Sequence, residues 1–131
     1  MNTPSPDSSP APLPGDVVQR QLDAYNARDL DALLRVYADN AQLFEHPNTL
    51  LAQGSGAIRQ RFALRFQESN LHARLLHRIV MGNTVVDHEE VTRTFPEGPG
   101  TLELTMIYDV QGDRIARAWT LVGPKRLFAS T

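Results

Sequence analysis

The sequence contains no cysteine, which excludes several kinds of site at once. Without a thiol there is no disulfide, no thiolate nucleophile and no cysteine-bound zinc. No apolar run approaches the roughly 20 residues of a membrane-spanning helix. The formal net charge of −2 offers no basic face for nucleic acid. These absences favour a cytoplasmic protein that acts on a small molecule or another protein, with neither nucleic acid nor membrane as a partner.

Large apolar side chains are also scarce in residues 1–14, where prolines and serines dominate. Such a segment cannot bury enough apolar surface to offset the entropy lost on ordering, so we predict a disordered tail. It has neither the basic start nor the apolar run of a signal peptide. Residues 15–131 are then expected to form one domain, which the length of the chain also favours.

Two short helices are predicted next. In residues 16–28 the apolar side chains recur on one helix face, and Asp16 and Gln19 have the spacing of a capping box. Asp29 is placed to cap a second helix, whose inward side chains include Tyr37. The tight joint between the two segments predicts an αα-hairpin.

A short strand at residues 41–46 and a third helix at residues 56–67, capped by Ser55, follow in the pattern. After them, apolar and polar residues alternate with the period of half-buried strands, separated by Gly-rich or Pro-rich turns. The predicted long strands are residues 71–81, 84–95, 102–110 and 114–122. Strands joined by hairpins are antiparallel, and the helices have only this sheet to pack against, so we predict an α+β fold in which a curved sheet encloses a hollow.

Several short sequence motifs in the first half of the chain resemble those of a known family. They are Val17-Val18-Gln19-Arg20, Asn26-Ala27-Arg28-Asp29-Leu30-Asp31, Ala38-Asp39-Asn40-Ala41 and Ala57-Ile58-Arg59. The chain resembles the bacterial steroid Δ-isomerases and their SnoaL-like and NTF2-like (nuclear transport factor 2-like) relatives from about residue 17 to residue 110. The resemblance implies a cone-shaped fold, with three N-terminal helices packed in a strongly curved mixed or antiparallel sheet. It specifies the fold better than the reaction.

The resemblance also implies positions for catalytic groups. The isomerases use an aspartate base on the first strand, and this position falls on Glu45. Their tyrosine and protonated aspartate, which hydrogen-bond the developing enolate, fall on Gln21 and Met106. Because methionine cannot donate, and loss of one such donor costs about 2.7–4 kcal/mol, the chain is not expected to be a true steroid isomerase.

Glu45 is nevertheless the first candidate for a catalytic residue. A carboxylate that faces a mostly apolar hollow suits a general base, while the alternative is a solvent-facing side chain or a partner for an arginine such as Arg61 or Arg78. His46 points to the opposite face of a regular strand. A bulge before Pro47 would exchange the two residues, so His46 is a substitute candidate.

His77 is the second catalytic candidate. In the alternating pattern of this strand, His77 shares a face with the apolar residues Leu75 and Ile79, which predicts that it points inward. A buried histidine serves either as a hydrogen-bonding group of the core or as a proton carrier near neutral pH. The sequence leaves both interpretations open.

Further polar residues are predicted around the same hollow. The register implied by the resemblance turns Asp87 and Glu89 inward and His88 outward. Together with Glu45 and His77 they would make the hollow suitable for a small polar substrate. No metal site is predicted, because the sequence has no closely spaced set of ligands such as HExxH.

Aromatic residues complete the predicted site and its surroundings. Tyr25 and Tyr108 lie on inward faces and are expected to pack in the core or line the pocket. Trp119 falls on the outer face of the last strand, where a large aromatic needs a cover, so we predict a homodimer through the outer sheet face.

Two functions from different classes remain open at this point. The first is a cofactor-independent isomerase, hydratase or cyclase acting on a small polar carbonyl compound, with Glu45 as base and Gln21, His77 and Tyr108 orienting the substrate. The second is a non-catalytic ligand-binding or dimeric interaction module, which the absence of both oxyanion donors favours.

Overall fold

The computed structural model describes residues 12–128 and contains three helices and six strands. The sheet has the order β2-β1-β6-β5-β4-β3, in which β1 runs parallel to β6 and every other pair is antiparallel. The elements are α1 (Pro14–Ala27), α2 (Leu30–Val36), β1 (Tyr37–Glu45), β2 (Thr49–Gln53), α3 (Gly54–Arg65), β3 (His72–Met81), β4 (Thr84–Phe95), β5 (Gly98–Gln111) and β6 (Arg114–Leu127). The predicted α+β architecture with N-terminal helices and a mixed sheet is confirmed.

The first helix begins two residues before the predicted cap. Pro14 stands at its first position and Leu13 at its N-cap, so Asp16 lies inside the first turn and the predicted capping box is wrong. The fixed φ of proline is already helical and its missing N–H is not needed there, which explains the earlier start. The predicted tail at residues 1–14 lies mainly outside the described residues. Asp29 does cap α2, accepting a hydrogen bond from the Ala32 backbone N–H at 3.1 Å.

The sequence motif that includes Asn26 and Arg28 has a structural role at the end of α1. The Asn26 amide exchanges two hydrogen bonds with the backbone of Ala73 on β3, at 2.9 and 2.8 Å. The Arg28 guanidinium donates to the carbonyl oxygens of Glu68, Ser69 and Leu71. These contacts hold the αα-hairpin against β3 and the segment before it. Because the residues of this motif stabilise the fold, such motifs predict the fold better than the reaction.

The segment between α2 and α3 differs most from its prediction. Tyr37 leaves the helix and opens β1, and the predicted loop before α3 contains a strand, β2, that pairs with β1. The N-cap of α3 is Gln53, while Ser55 lies within the helix and donates to the Asp39 carbonyl. Thr49–Gln53 is too short for its alternation to separate it from a loop.

The core lies between the helices and the inner face of the sheet. Fully buried residues from each helix and from β4, β5 and β6 meet there, among them Val17, Leu33, Ile58, Val85, Tyr108 and Ile115. Within residues 12–128, every helix is too short or too polar to cross a bilayer. The core fills one end of the space under the sheet, and the other end remains open.

Candidate functional site

A cavity of about 230 Å³ opens between α1, α3 and the inner face of the sheet. Its deepest wall residues are buried, and we call Gln21, Tyr37, Glu89 and Tyr108 the floor. Its exposed wall residues, Glu45, Arg61 and Val122, mark the mouth. Leucine, valine, alanine and phenylalanine side chains form much of the wall between them. The site is therefore a mainly apolar pocket with a few polar groups, as small-molecule sites usually are.

Glu89 is the most perturbed acid of the cavity. It lies on β4 and only 5% of its surface is exposed. The pKa of its carboxyl is raised to about 8, mainly by burial and also by the negative charge of Asp87, while the positive charge of Arg78 opposes the rise. Glu89 is therefore mostly protonated at neutral pH and able to act as an acid or, once ionised, as a base.

Two tyrosines beside Glu89 are joined through Gln21. The Tyr108 hydroxyl donates to Gln21 Oε1 and Gln21 Nε2 donates to the Tyr37 hydroxyl, each at 3.3 Å. Since the Tyr37 oxygen accepts this bond, its own proton is free to point into the cavity. Burial raises the pKa of both tyrosines, and the charge of Glu89, which lines the same cavity, adds to each rise.

Tyr37 was missed as a functional residue because the helical pattern ran on through it. Its departure from the helix into β1 brings its hydroxyl to the floor. The available signal was its aromatic, strand-favouring side chain at the end of a short helix. Tyr25 and Met106 also line the cavity, where Tyr25 packs edge-on against Phe62 and Phe66.

Asp87 points inward but does not line the cavity, so its predicted place in the pocket wall is wrong. Its carboxylate is fully buried and accepts two hydrogen bonds from Arg78, at 2.7 and 2.9 Å. Arg78 also donates to Gln19 Oε1 at 2.8 Å, which ties the pair to α1. Asp87 is thus neutralised in the wall behind Glu89.

His77 points outward, contrary to prediction. A bulge in β3 between Leu75 and His77 pairs Leu75 with Glu89 but His77 with His88. The extra residue reverses the alternation, so Arg78 takes the inward position and His77 is exposed. A bulge has no reliable signal in a single sequence, and the predicted catalytic role of His77 has no support in its position.

Glu45 and His46 lie at the open end of the site. Glu45 contributes to the mouth but is exposed, because β1 ends there, so the buried environment expected for it is not found. His46 is exposed and is absent from the cavity wall, which contradicts its predicted place in the site.

Three arginines line the outer part of the cavity, and the sequence analysis did not place them there. Arg61 and Arg65 come from α3 and Arg93 from β4. The signal was present on α3, where Arg61 and Arg65 stand next to the apolar stripe of Phe62 and Phe66 at helical spacing. Across residues 12–128, no three histidine, aspartate or glutamate side chains meet in a group that could hold a metal ion.

A model of the SnoaL-like domain family matches residues 18–118 of this chain. No curated protein matches it. A candidate polyketide cyclase from Sinorhizobium meliloti is 30% identical, with a TM-score of 0.67 over 80% of this chain and 93% of that one.

Two more distant structures have a similar fold. An uncharacterised cystatin-fold protein from Novosphingobium aromaticivorans is 22% identical, with a TM-score of 0.76 over 83% of this chain and 97% of that one. A hypothetical protein from Catenulispora acidiphila, solved with trimethylamine, has a ketosteroid isomerase-like fold. It is 15% identical, with a TM-score of 0.70 over 80% of this chain and 83% of that one. These likenesses confirm the NTF2-like, cone-shaped fold.

Proposed function

This chain belongs to the SnoaL-like domain family, and from that premise we propose that it is a cofactor-independent acid–base enzyme for a small carbonyl compound. The reaction is of the isomerase, hydratase or cyclase kind. The observation that carries the proposal is Glu89, a buried carboxyl in a mainly apolar cavity wall, with its pKa raised by burial to about 8. A group that changes protonation near the working pH is suited to move a proton in both directions.

Tyr37 supplies the hydrogen bond that a developing oxyanion needs. Gln21 donates to its hydroxyl, so the Tyr37 proton is directed toward a ligand oxygen. Gln21, which the resemblance aligns with the tyrosine of the isomerases, thus supports a tyrosine instead of donating to the substrate itself. A donor held in advance at a water-poor floor favours the transition state over the ground state.

The proposed step moves one proton. Ionised Glu89 takes a proton from the carbon next to the carbonyl, the C–H electron pair becomes the new C=C bond, and negative charge develops on the oxygen facing Tyr37. Where the substrate also has a C=C bond conjugated with this enolate, protonated Glu89 returns the proton to the far carbon of that bond, the remaining double bond shifts and the carbonyl re-forms, which isomerises the substrate. Where the carbon β to the carbonyl carries a hydroxyl group, protonated Glu89 instead gives its proton to that oxygen, the C–O bond breaks, water leaves, the enolate electrons form the new C=C bond and the carbonyl re-forms.

Glu89→Gln is expected to lower kcat by about 10²–10⁴-fold, because glutamine keeps the shape but cannot transfer the proton. The substrate class is found by thermal-shift screening of small ketones, lactones and keto acids. Turnover is followed by ¹H NMR in deuterium oxide, where proton abstraction exchanges the hydrogen next to the carbonyl. Glu45→Gln is the matched control at the mouth and is expected to keep at least a tenth of the rate.

Other outcomes of this experiment select other roles. If Glu89→Gln is fully active and Glu45→Gln is inactive, the general base is Glu45, as the resemblance implied. Ligands that bind wild type and both variants without exchanging hydrogen indicate a non-catalytic ligand-binding module.

The outer face of the sheet supports the proposal of a homodimer. Direct cross-strand neighbours form an apolar row across all six strands: Leu50, Phe44, Trp119, Ile107, Val86 and Ile79. Several charged side chains on β4, β5 and β6 are paired within the chain, as in His88–Glu103 and Arg117–Asp109. A second copy related by a twofold axis places this row against itself and so covers it.

Ile107→Glu is therefore expected to convert a dimer into a monomer, because it puts a charge at the centre of the row. Light scattering during gel filtration at micromolar concentration should give twice the chain mass of 14.6 kDa for wild type. Thr92→Glu, which adds a charge to β4 away from the row, is the control and should remain dimeric. A monomeric wild type contradicts the proposal.

A further inference from the structure

Two arginines on one face of α3 stand at the entrance to the cavity. Arg61 and Arg65 are four residues apart, so they are neighbours on the helix surface. Both line the cavity, and both also line an outer recess on α3 that shares Leu51 and Arg93 with it. A ligand entering the cavity therefore passes both guanidinium groups.

The charge of Arg65 is poorly compensated. Its nearest carboxylate, Glu68, accepts two hydrogen bonds from Arg93, at 3.2 and 2.9 Å, and one from the Thr94 backbone N–H at 3.0 Å. Arg65 Nη1 remains 3.6 Å from Glu68 Oε2. This nitrogen is buried and has no hydrogen-bond partner among residues 12–128. A buried charged donor without an acceptor is costly, so the protein itself satisfies this guanidinium only in part. The Arg65 side chain keeps 27% of its surface exposed, and a ligand in the cavity can contact that part.

Arg61 also lacks a close partner. In the described part of the chain, no carboxylate oxygen lies within 4.0 Å of its guanidinium. Desolvation and the positive charge of Arg65 lower the pKa of Arg61, and Glu45 opposes this effect. Two like charges at this spacing repel each other, and an anion between them relieves the repulsion.

The local charge balance indicates a monoanion. Around the mouth and the outer recess, Arg61, Arg65 and Arg93 face only Glu45 and Glu68, which leaves one positive charge. Glu89 adds no full negative charge at neutral pH, since burial keeps it mostly protonated. A carboxylate fits the forked geometry of a guanidinium, as a phosphate also does, but its single negative charge matches this balance better than the double charge of a phosphate.

We infer that Arg61 and Arg65 bind a carboxylate of the ligand at the mouth, so that the substrate is a small carboxylic acid whose apolar, carbonyl-bearing end reaches Glu89 and Tyr37. This inference rests on the proposed function, because it takes the cavity to be the substrate site. The protonated floor and the charged mouth orient the molecule, since only the mouth has unpaired positive charge for its anionic end.

The test compares a charged probe with its neutral counterpart. Isothermal titration calorimetry near pH 6.5 measures 2-naphthoate and 2-naphthamide, which share one apolar body. Wild type is expected to bind the carboxylate at least tenfold more tightly. Arg65→Gln and Arg61→Gln should each reduce that preference to about twofold or less and leave the affinity for the amide unchanged. Arg59→Gln, on the same helix but outside the cavity wall and paired with Asp31, should keep the full preference.

Each alternative outcome overturns a different part of the argument. Equal binding of both probes to wild type refutes the carboxylate site but leaves the cavity as a ligand site. Binding of neither probe overturns the inference together with the proposed ligand role of the cavity. Tighter binding of 2-naphthyl phosphate, lost in the same two variants, replaces carboxylate by a phosphoryl group. If Arg65→Gln alters the fold, as judged by circular dichroism, the exposed Arg61 position decides the result.

Discussion

Wild type is expected to become less stable as the pH rises from about 4.5 to about 8, and Glu89→Gln is expected to lack this decrease. In the folded chain, burial raises the pKa of Glu89 from 4.5 to about 8. Above pH 4.5 the unfolded chain ionises this group while the folded chain still holds its proton. Unfolding therefore releases a proton in this range, and the free energy of unfolding falls until the folded carboxyl ionises as well.

The expected size of this effect is large. The two pKa values correspond to a difference of about 5 kcal/mol in the free energy of unfolding between the acid and alkaline limits. Glutamine does not titrate, so the variant should lack this contribution and become more stable than wild type at alkaline pH.

Urea unfolding of wild type and Glu89→Gln across this pH range measures the difference. Glu90→Gln is the matched control, because Glu90 is the next residue on β4 but faces outward and pairs with Arg74. It should follow wild type at every pH. Parallel pH profiles for wild type and Glu89→Gln would show that Glu89 ionises normally, and the proposed acid–base role would lose its basis.

Arg78→Met is expected to destabilise the fold by about 3–5 kcal/mol, because it leaves the Asp87 carboxylate buried without a partner. Asp87 is fully buried and its two short hydrogen bonds both come from Arg78. The link from Arg78 to Gln19 on α1 is lost at the same time. The double variant Arg78→Met/Asp87→Leu should recover most of the loss, since it removes the stranded charge as well.

Urea unfolding at pH 7 tests this prediction against Arg74→Met. Arg74 pairs with Glu90 across the same two strands, but both side chains are exposed, so its loss should cost at most about 1 kcal/mol. Similar losses in Arg78→Met and Arg74→Met contradict the assignment of a buried pair.

The Arg78–Asp87 pair also matters for function, because it controls the acidity of Glu89. Asp87 raises the pKa of the Glu89 carboxyl and Arg78 lowers it. Loss of Arg78 alone therefore makes Glu89 a weaker acid, while neutralising Asp87 makes it a stronger one. Asp87, which the sequence analysis placed in the pocket wall, acts instead from behind it as part of this pair.

Much of the fold follows from local pattern. The alternation in residues 84–95 turns Asp87 and Glu89 inward as expected, and Asp29 caps α2 as its position predicts. Capping and alternation depend on a few neighbouring residues, so the sequence expresses them directly. The start of β1 at Tyr37 and the bulge before His77 depend on strand pairing with distant segments, so no local sequence pattern predicts them.

By itself, the sequence determined the family, the order of helices and long strands, and a hollow lined by carboxyl, tyrosine and glutamine side chains. Only the tertiary structure decided which carboxyl is chemically unusual. Glu45 and Glu89 are both glutamates on strands that border the hollow, yet one lies exposed at the open end of β1 and the other is buried at the cavity floor. Desolvation depends on what packs around a group, and the residues that cover Glu89 come from parts of the chain far apart in sequence.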